Sequence, residues 1–180
     1  MQHRGRRVRC AAHGLLGYHT GAGVALEMAR LRPQRVRRIV LVAVPMLTAA
    51  EREAGAALPP IPFDIDGEFA RTEWQRSWRW RGPGQPVESV LATFAEKLRP
   101  GVRDRGASAI LRYDLEAVLA DTEHPLCIVR VRDDLWDATE RAHRLRPDAR
   151  YVELPDYGHG LFHAAPERMN EIARDCLDEA

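Results

Sequence analysis

The sequence predicts an α/β protein: a parallel sheet flanked by helices, with a helical insertion in the middle of the chain. Three observations predict it. Short apolar runs alternate with stretches of helical spacing at both ends of the chain, the pattern of strand–helix–strand crossovers. An apolar run turns into a helical stretch across Gly17 and Gly21, where missing side chains leave room for a sharp corner. Between Pro45 and about Thr122 the alternation stops, and proline-rich breaks separate purely helical stretches.

The elements follow in order. Residues 11–16 are an apolar run and read as a buried strand. Residues 20–31 read as a helix with Val24, Leu26, Met28 and Leu31 among its apolar positions. Residues 38–44 are a second apolar strand. In the insertion, Pro59-Pro60-Ile61-Pro62 and Gly82-Pro83-Gly84-Gln85-Pro86 are breaks. Around them lie the helical segments 64–80, with Phe69, Trp74, Trp78 and Trp80; 87–98, with Val87, Val90, Leu91, Phe94 and Leu98; and 105–120, with Ile110, Leu111, Leu115, Val118 and Leu119. Alternation resumes with strand 126–131, helix 137–145, strand 149–154 and helix 166–178. Pro125 and Pro155 flank strands, where a missing N–H does least harm, and Pro166 suits a first helical turn. The expected division is a core of 1–45 and 123–180 with a helical cap of 46–122.

Composition narrows the function classes. A length of 180 residues suffices for one domain with its own core. The net charge of +1 and the dispersed arginines argue against a dedicated nucleic-acid binder. No apolar stretch reaches the ~20 residues that span a bilayer, so no membrane partner is expected. The basic N-terminus lacks the apolar centre of a signal peptide, and Cys10, Cys127 and Cys176 form neither a metal spacing nor an evident disulfide pair. A cytoplasmic protein with three small, buried cysteines is the expectation.

The chemistry-bearing segments are Leu15-Leu16-Gly17-Tyr18-His19-Thr20-Gly21, at the first corner; Val131-Arg132-Asp133-Asp134, at a strand end; and Tyr157-Gly158-His159-Gly160, just past the last strand. With Arg32-Pro33-Gln34-Arg35-Val36 after the first helix, they resemble the C-terminal two thirds of an α/β-hydrolase. In that family the chain order is nucleophile, acid, histidine, and the nucleophile sits on a strained strand-to-helix corner. The resemblance therefore implies a site of His19, Asp134 and His159, with the N–H of Thr20 as an oxyanion donor. Either Asp133 or Asp134 can serve as the acid; laying the family's strand-end turn over Val131–Asp134 selects Asp134. His163 would be peripheral, and Trp74 and Trp78 would line a pocket for an apolar substrate.

Two departures limit the resemblance. A histidine stands where the family has its nucleophilic serine. Only about fifteen residues precede the corner, too few for the strands that lead up to it in the family, so a truncated reading frame or a degraded relative is expected. The strand at 11–16 would then be an exposed edge through which copies associate. The function implied is hydrolysis of a small, rather apolar ester, epoxide, halide or ketone, with no cofactor. The alternatives are a non-catalytic relative that binds a ligand or partner, and a cofactor-free oxygenase or lyase using His159 as base. A metal shared by His19 and His159 is disfavoured, because a triad acid sits behind its histidine and does not converge with it on one point.

Overall fold

A computed structural model of the chain describes residues 12–57, 65–99 and 102–178. Among the described residues there are four strands, β1 (His13–Tyr18), β2 (Val36–Val42), β3 (Leu126–Val131) and β4 (Arg150–Leu154). They form one parallel sheet in the order β1-β2-β3-β4. Helix α1 (Thr20–Leu31) joins β1 to β2 by way of a 3-10 turn at Pro33–Arg35. Between β2 and β3 lie α2 (Ala49–Ala57), α3 (Glu68–Arg79), α4 (Val87–Lys97), α5 (Val102–Arg112) and α6 (Leu115–Asp121). Helix α7 (Trp136–Leu145) joins β3 to β4, and α8 (Leu161–Ala164) and α9 (Pro166–Asp178) close the chain.

Strands buried on both faces need near-continuous apolar runs, which residues 39–42 of β2 and 126–129 of β3 supply. Alternate residues separate into two cores. Ile39, Leu41 and Ile128 face α1, α6 and α7, whose contributions include Leu26, Leu119 and Ala142. Val40, Val42, Cys127 and Val129 face α9, with Met169, Ile172 and Cys176. Cys127 and Cys176 were isolated in sequence, yet their sulfurs meet at 2.6 Å in this second core.

The central strands end together, and their ends build the site. β1 runs two residues further than its apolar run, because Gly17 and Tyr18 pair with Leu41 and Val42. β2 stops at Val42, two residues short of the expected end, because Ala43 turns to a φ of 51°. The expected helix at 105–120 is two helices; Asp114 caps the second by accepting from the Ala117 N–H at 3.2 Å. Leu115 and Leu119 of that second helix belong to the core beside α1.

Candidate active site

The corner between β1 and α1 is as tight as its glycine requires. A Cβ on Gly17 would lie 2.2 Å from the Gly21 carbonyl oxygen, so no other residue fits there. Gly21 is different: a Cβ there would meet nothing within 4 Å, and the corner does not depend on it. His19, at the apex, has φ 52° and ψ −121°, a conformation that side-chain-bearing residues rarely adopt. Its N–H donates to the Val42 carbonyl at 3.0 Å, which ties the apex to the end of β2. Thr20 then opens α1 with the positive end of the helix directed at the same space.

The second corner follows β3. Asp133 and Asp134 are adjacent, and their side chains go to different histidines. Asp133 has no exposed side-chain surface; its Oδ1 accepts the Leu135 N–H at 2.9 Å and its Oδ2 lies 2.8 Å from His19 Nε2. Asp134 presents Oδ1 to His159 Nε2 at 2.9 Å and Oδ2 to the Arg76 guanidinium at 3.5 Å. Burial acts to raise the Asp134 carboxyl. The hydrogen bond and charge of His159, with the charges of His19 and Arg76, outweigh burial and hold the group well below the usual carboxylate range.

His159 stands on a loop clamped from two sides. The Arg132 N–H donates to the Tyr157 carbonyl at 2.6 Å, and Arg81 forms a backbone bridge to His159. A Cβ on Gly158 would lie 2.9 Å from the Arg132 carbonyl oxygen, so the loop's close approach needs that glycine. The other ring nitrogen of His159, Nδ1, lies 3.3 Å from the Tyr18 hydroxyl. Burial, with the charges of Asp133 and Asp134, pushes the Tyr18 phenol far above its ordinary value, so this partner stays neutral.

The two imidazoles meet, with ring centroids 4.8 Å apart. His19, Asp133, Asp134 and His159 each offer one nitrogen or oxygen, and these four atoms lie within 4.8 Å of one another. This is not the layout of a triad, in which the acid holds Nδ1 and leaves Nε2 to the nucleophile. Here Nε2 of each histidine is the atom turned to a carboxylate. Asp133 is the residue the sequence reading left as an alternative acid, and its second role, holding the apex histidine, had no signal beyond adjacency to Asp134.

A cavity of about 530 Å³ opens over the cluster, lined by Tyr18, His19, Thr20, Asp134 and His159 below. Glu73, Arg76 and Lys97 line it from α3 and α4. Its aromatic walls are Trp80 and Phe162, and His163 also reaches it. Trp74 and Trp78, expected in the lining, instead pack on each other at 5.5 Å, and Trp74 meets Phe94 edge-on at 5.4 Å. Trp74 thereby joins α3 to α4, while Trp78 is exposed beside it. Gln85, a lining residue the sequence did not single out, is 5% exposed, and its Oε1 has no hydrogen-bond partner among the described residues.

Comparison with known proteins agrees with this architecture. No family model matches the chain. A pimeloyl-[acyl-carrier protein] methyl ester esterase of Aromatoleum aromaticum is 28% identical over 182 residues, covering 89% of this chain and 72% of that protein. Among solved structures, an N-acyl homoserine lactone degrading enzyme superposes with a TM-score of 0.70 at 14% identity, over 92% of this chain and 68% of its own. The enol-lactonase of Burkholderia xenovorans LB400 gives 0.66 at 17% identity, over 94% and 67%. An E-2-(acetamidomethylene)succinate hydrolase gives 0.63 at 23% identity, over 93% and 68%. The chain thus spans about two thirds of the length of these structures, all of them hydrolytic or lactone-degrading enzymes by name. With its parallel sheet, its strained strand-to-helix corner and a histidine loop after the last strand, the chain has an α/β-hydrolase fold.

Proposed function

We propose that the chain hydrolyses a small, rather apolar substrate (an ester, epoxide, halide or ketone) with water, not a protein oxygen or sulfur, as nucleophile. One observation carries this reading: a buried carboxylate, Asp133, holds the apex histidine by Nε2, and among the described residues the other ring nitrogen of His19 has no hydrogen-bond partner. A carboxylate behind an imidazole fixes its orientation and stabilises the imidazolium formed when it takes a proton. Both nitrogens of His159 are engaged, by Asp134 and Tyr18, so His159 fits the role of charge neighbour better than that of first base.

For an ester, the water oxygen bonds to the carbonyl carbon while its proton passes to His19. The tetrahedral oxyanion forms beside the Thr20 N–H at the start of α1, where the helix end favours negative charge. Collapse breaks the bond to the alkoxide, which recovers the proton from His19. Trp80 and Phe162 supply apolar contact for the substrate, and α3 and α4 act as the cap over it. The same reading takes the protein to work in the cytoplasm, with copies associating along the β1 edge.

A panel of p-nitrophenyl esters tests this. The expected result is turnover that falls by roughly 10²–10⁴ in His19→Ala, with the folded circular-dichroism spectrum kept. The lack of any hydroxyl or thiol at the apex favours the second reading, a non-catalytic ligand-binding protein; ligand-induced stabilisation without turnover of any ester would select it.

A further inference from the structure

We infer that His19, Asp133, Asp134 and His159 form a binding site for one divalent transition-metal ion of zinc type. The four donors are two imidazole nitrogens and two carboxylate oxygens, a set that suits such ions. Their geometry is convergent: the contacts from His19 to Asp133 and from His159 to Asp134 are 2.8 and 2.9 Å, and no pair exceeds 4.8 Å. A tetrahedral ion about 2.1 Å from each donor needs neighbours about 3.4 Å apart. Opening the two short contacts and closing the long ones by small rotations of the side chains meets that requirement.

The surroundings of His159 and of both carboxylates are those that a metal site needs. A ligating histidine holds its second nitrogen on an acceptor: Nδ1 of His159 has the Tyr18 hydroxyl at 3.3 Å, while the second nitrogen of His19 has no protein partner among the described residues. Ligating carboxylates are themselves hydrogen-bonded. Oδ1 of Asp133 accepts the Leu135 N–H, and Oδ2 of Asp134 faces Arg76. Two adjacent carboxylates, one of them fully buried, converge on one point, and the nearby guanidinium of Arg76 pairs with Asp134 alone. A divalent ion at that point makes the cluster neutral. Four protein donors complete a tetrahedral sphere, and the cavity above them leaves room for a fifth ligand to approach.

This inference uses the same cluster as the proposed hydrolysis, but its test does not depend on turnover. Chelator-treated protein labelled with 15N-histidine is titrated with zinc chloride. The expected result is saturation at one equivalent. His19 and His159 shift, and His159 changes from the form protonated at Nε2 to the form protonated at Nδ1 and hydrogen-bonded to Tyr18. The other five histidines stay in place. Tyr18→Phe should weaken zinc roughly tenfold without removing a donor, and Asp133→Asn should weaken it more, whereas His13→Ala should leave it unchanged. No histidine shift at millimolar zinc, shifts spread over the other histidines, or equal affinity in the His19→Ala/His159→Ala double variant would each overturn the site. Ester turnover in chelated protein with no histidine shift removes the metal and keeps the hydrolase; stoichiometric zinc without turnover does the reverse.

Discussion

The side chain at the apex of the first corner is an imidazole, which offers neither hydroxyl nor thiol. His19 is kept at positive φ by the corner and is bonded to a fully buried carboxylate. Removing Asp133 takes the buried partner from the His19 ring and the acceptor from the Leu135 N–H, a loss of about 1–3 kcal/mol. We therefore expect Asp133→Ala to lower the melting temperature clearly, with Asp133→Asn milder because an amide oxygen can still accept the Leu135 N–H. Thermal melts of the pair decide it; equal, near-wild-type melting of both would show that the His19–Asp133 contact contributes nothing. The sequence placed His19, Asp134 and His159 by resemblance. It gave no sign that Asp133 would turn inward to the apex, since the burial of a strand-end side chain depends on what packs over it. Nor could it tell that Trp80, and not Trp74 or Trp78, reaches the cavity, because that depends on which face of α3 meets α4.

At the element scale, the corner and the first helix make separable predictions. Gly17→Ala pushes a Cβ into the Gly21 backbone, so it should cost about 3 kcal/mol or more. Gly21→Ala has open space and a helical position, so it should be neutral or stabilising by up to ~1 kcal/mol. Similar melting of the two variants would contradict the reading of the corner. On α1, Glu27 links the helix to Tyr113, whose hydroxyl donates to it at 2.9 Å. The Arg30 hydrogen bond first, then that of Tyr113, holds the Glu27 carboxyl at about 2, below its ordinary 4.5. A lowered carboxyl stabilises the fold above its ordinary value and ceases to do so as pH falls toward the lowered one. The link should thus be lost between 4.5 and about 2, and Tyr113→Phe should move the acid-unfolding midpoint to higher pH. An unchanged midpoint would show that the link does not matter. Helix α1 was legible to the residue because strand and helix periods change at Gly17–Thr20. Helix α2 was not assigned, although Thr48-Ala49-Ala50-Glu51 is a capping box: the Glu51 N–H donates to Thr48 Oγ1 at 3.1 Å and the Thr48 N–H to Glu51 Oε2 at 2.7 Å. The strand ends were misplaced because pairing with a neighbour, not apolarity, decides where a parallel strand stops.

At the scale of the whole molecule, β1 is the edge of the sheet among the described residues, and Leu16, Val24, Met28 and Leu31 are exposed beside it at 39–54%. An apolar edge of this kind pairs with another strand. Copies of this chain should associate with rising concentration, and Leu16→Lys should weaken that association; size-exclusion chromatography showing a monomer at all concentrations would contradict it. Hydrolysis by water at the corner, as proposed, needs no protein nucleophile there. The most direct test treats the protein with a fluorophosphonate, then reads intact mass and residual p-nitrophenyl ester turnover on the same sample. No adduct on residues 17–21 and undiminished turnover are expected. A stoichiometric adduct on Thr20 that abolishes turnover would contradict this.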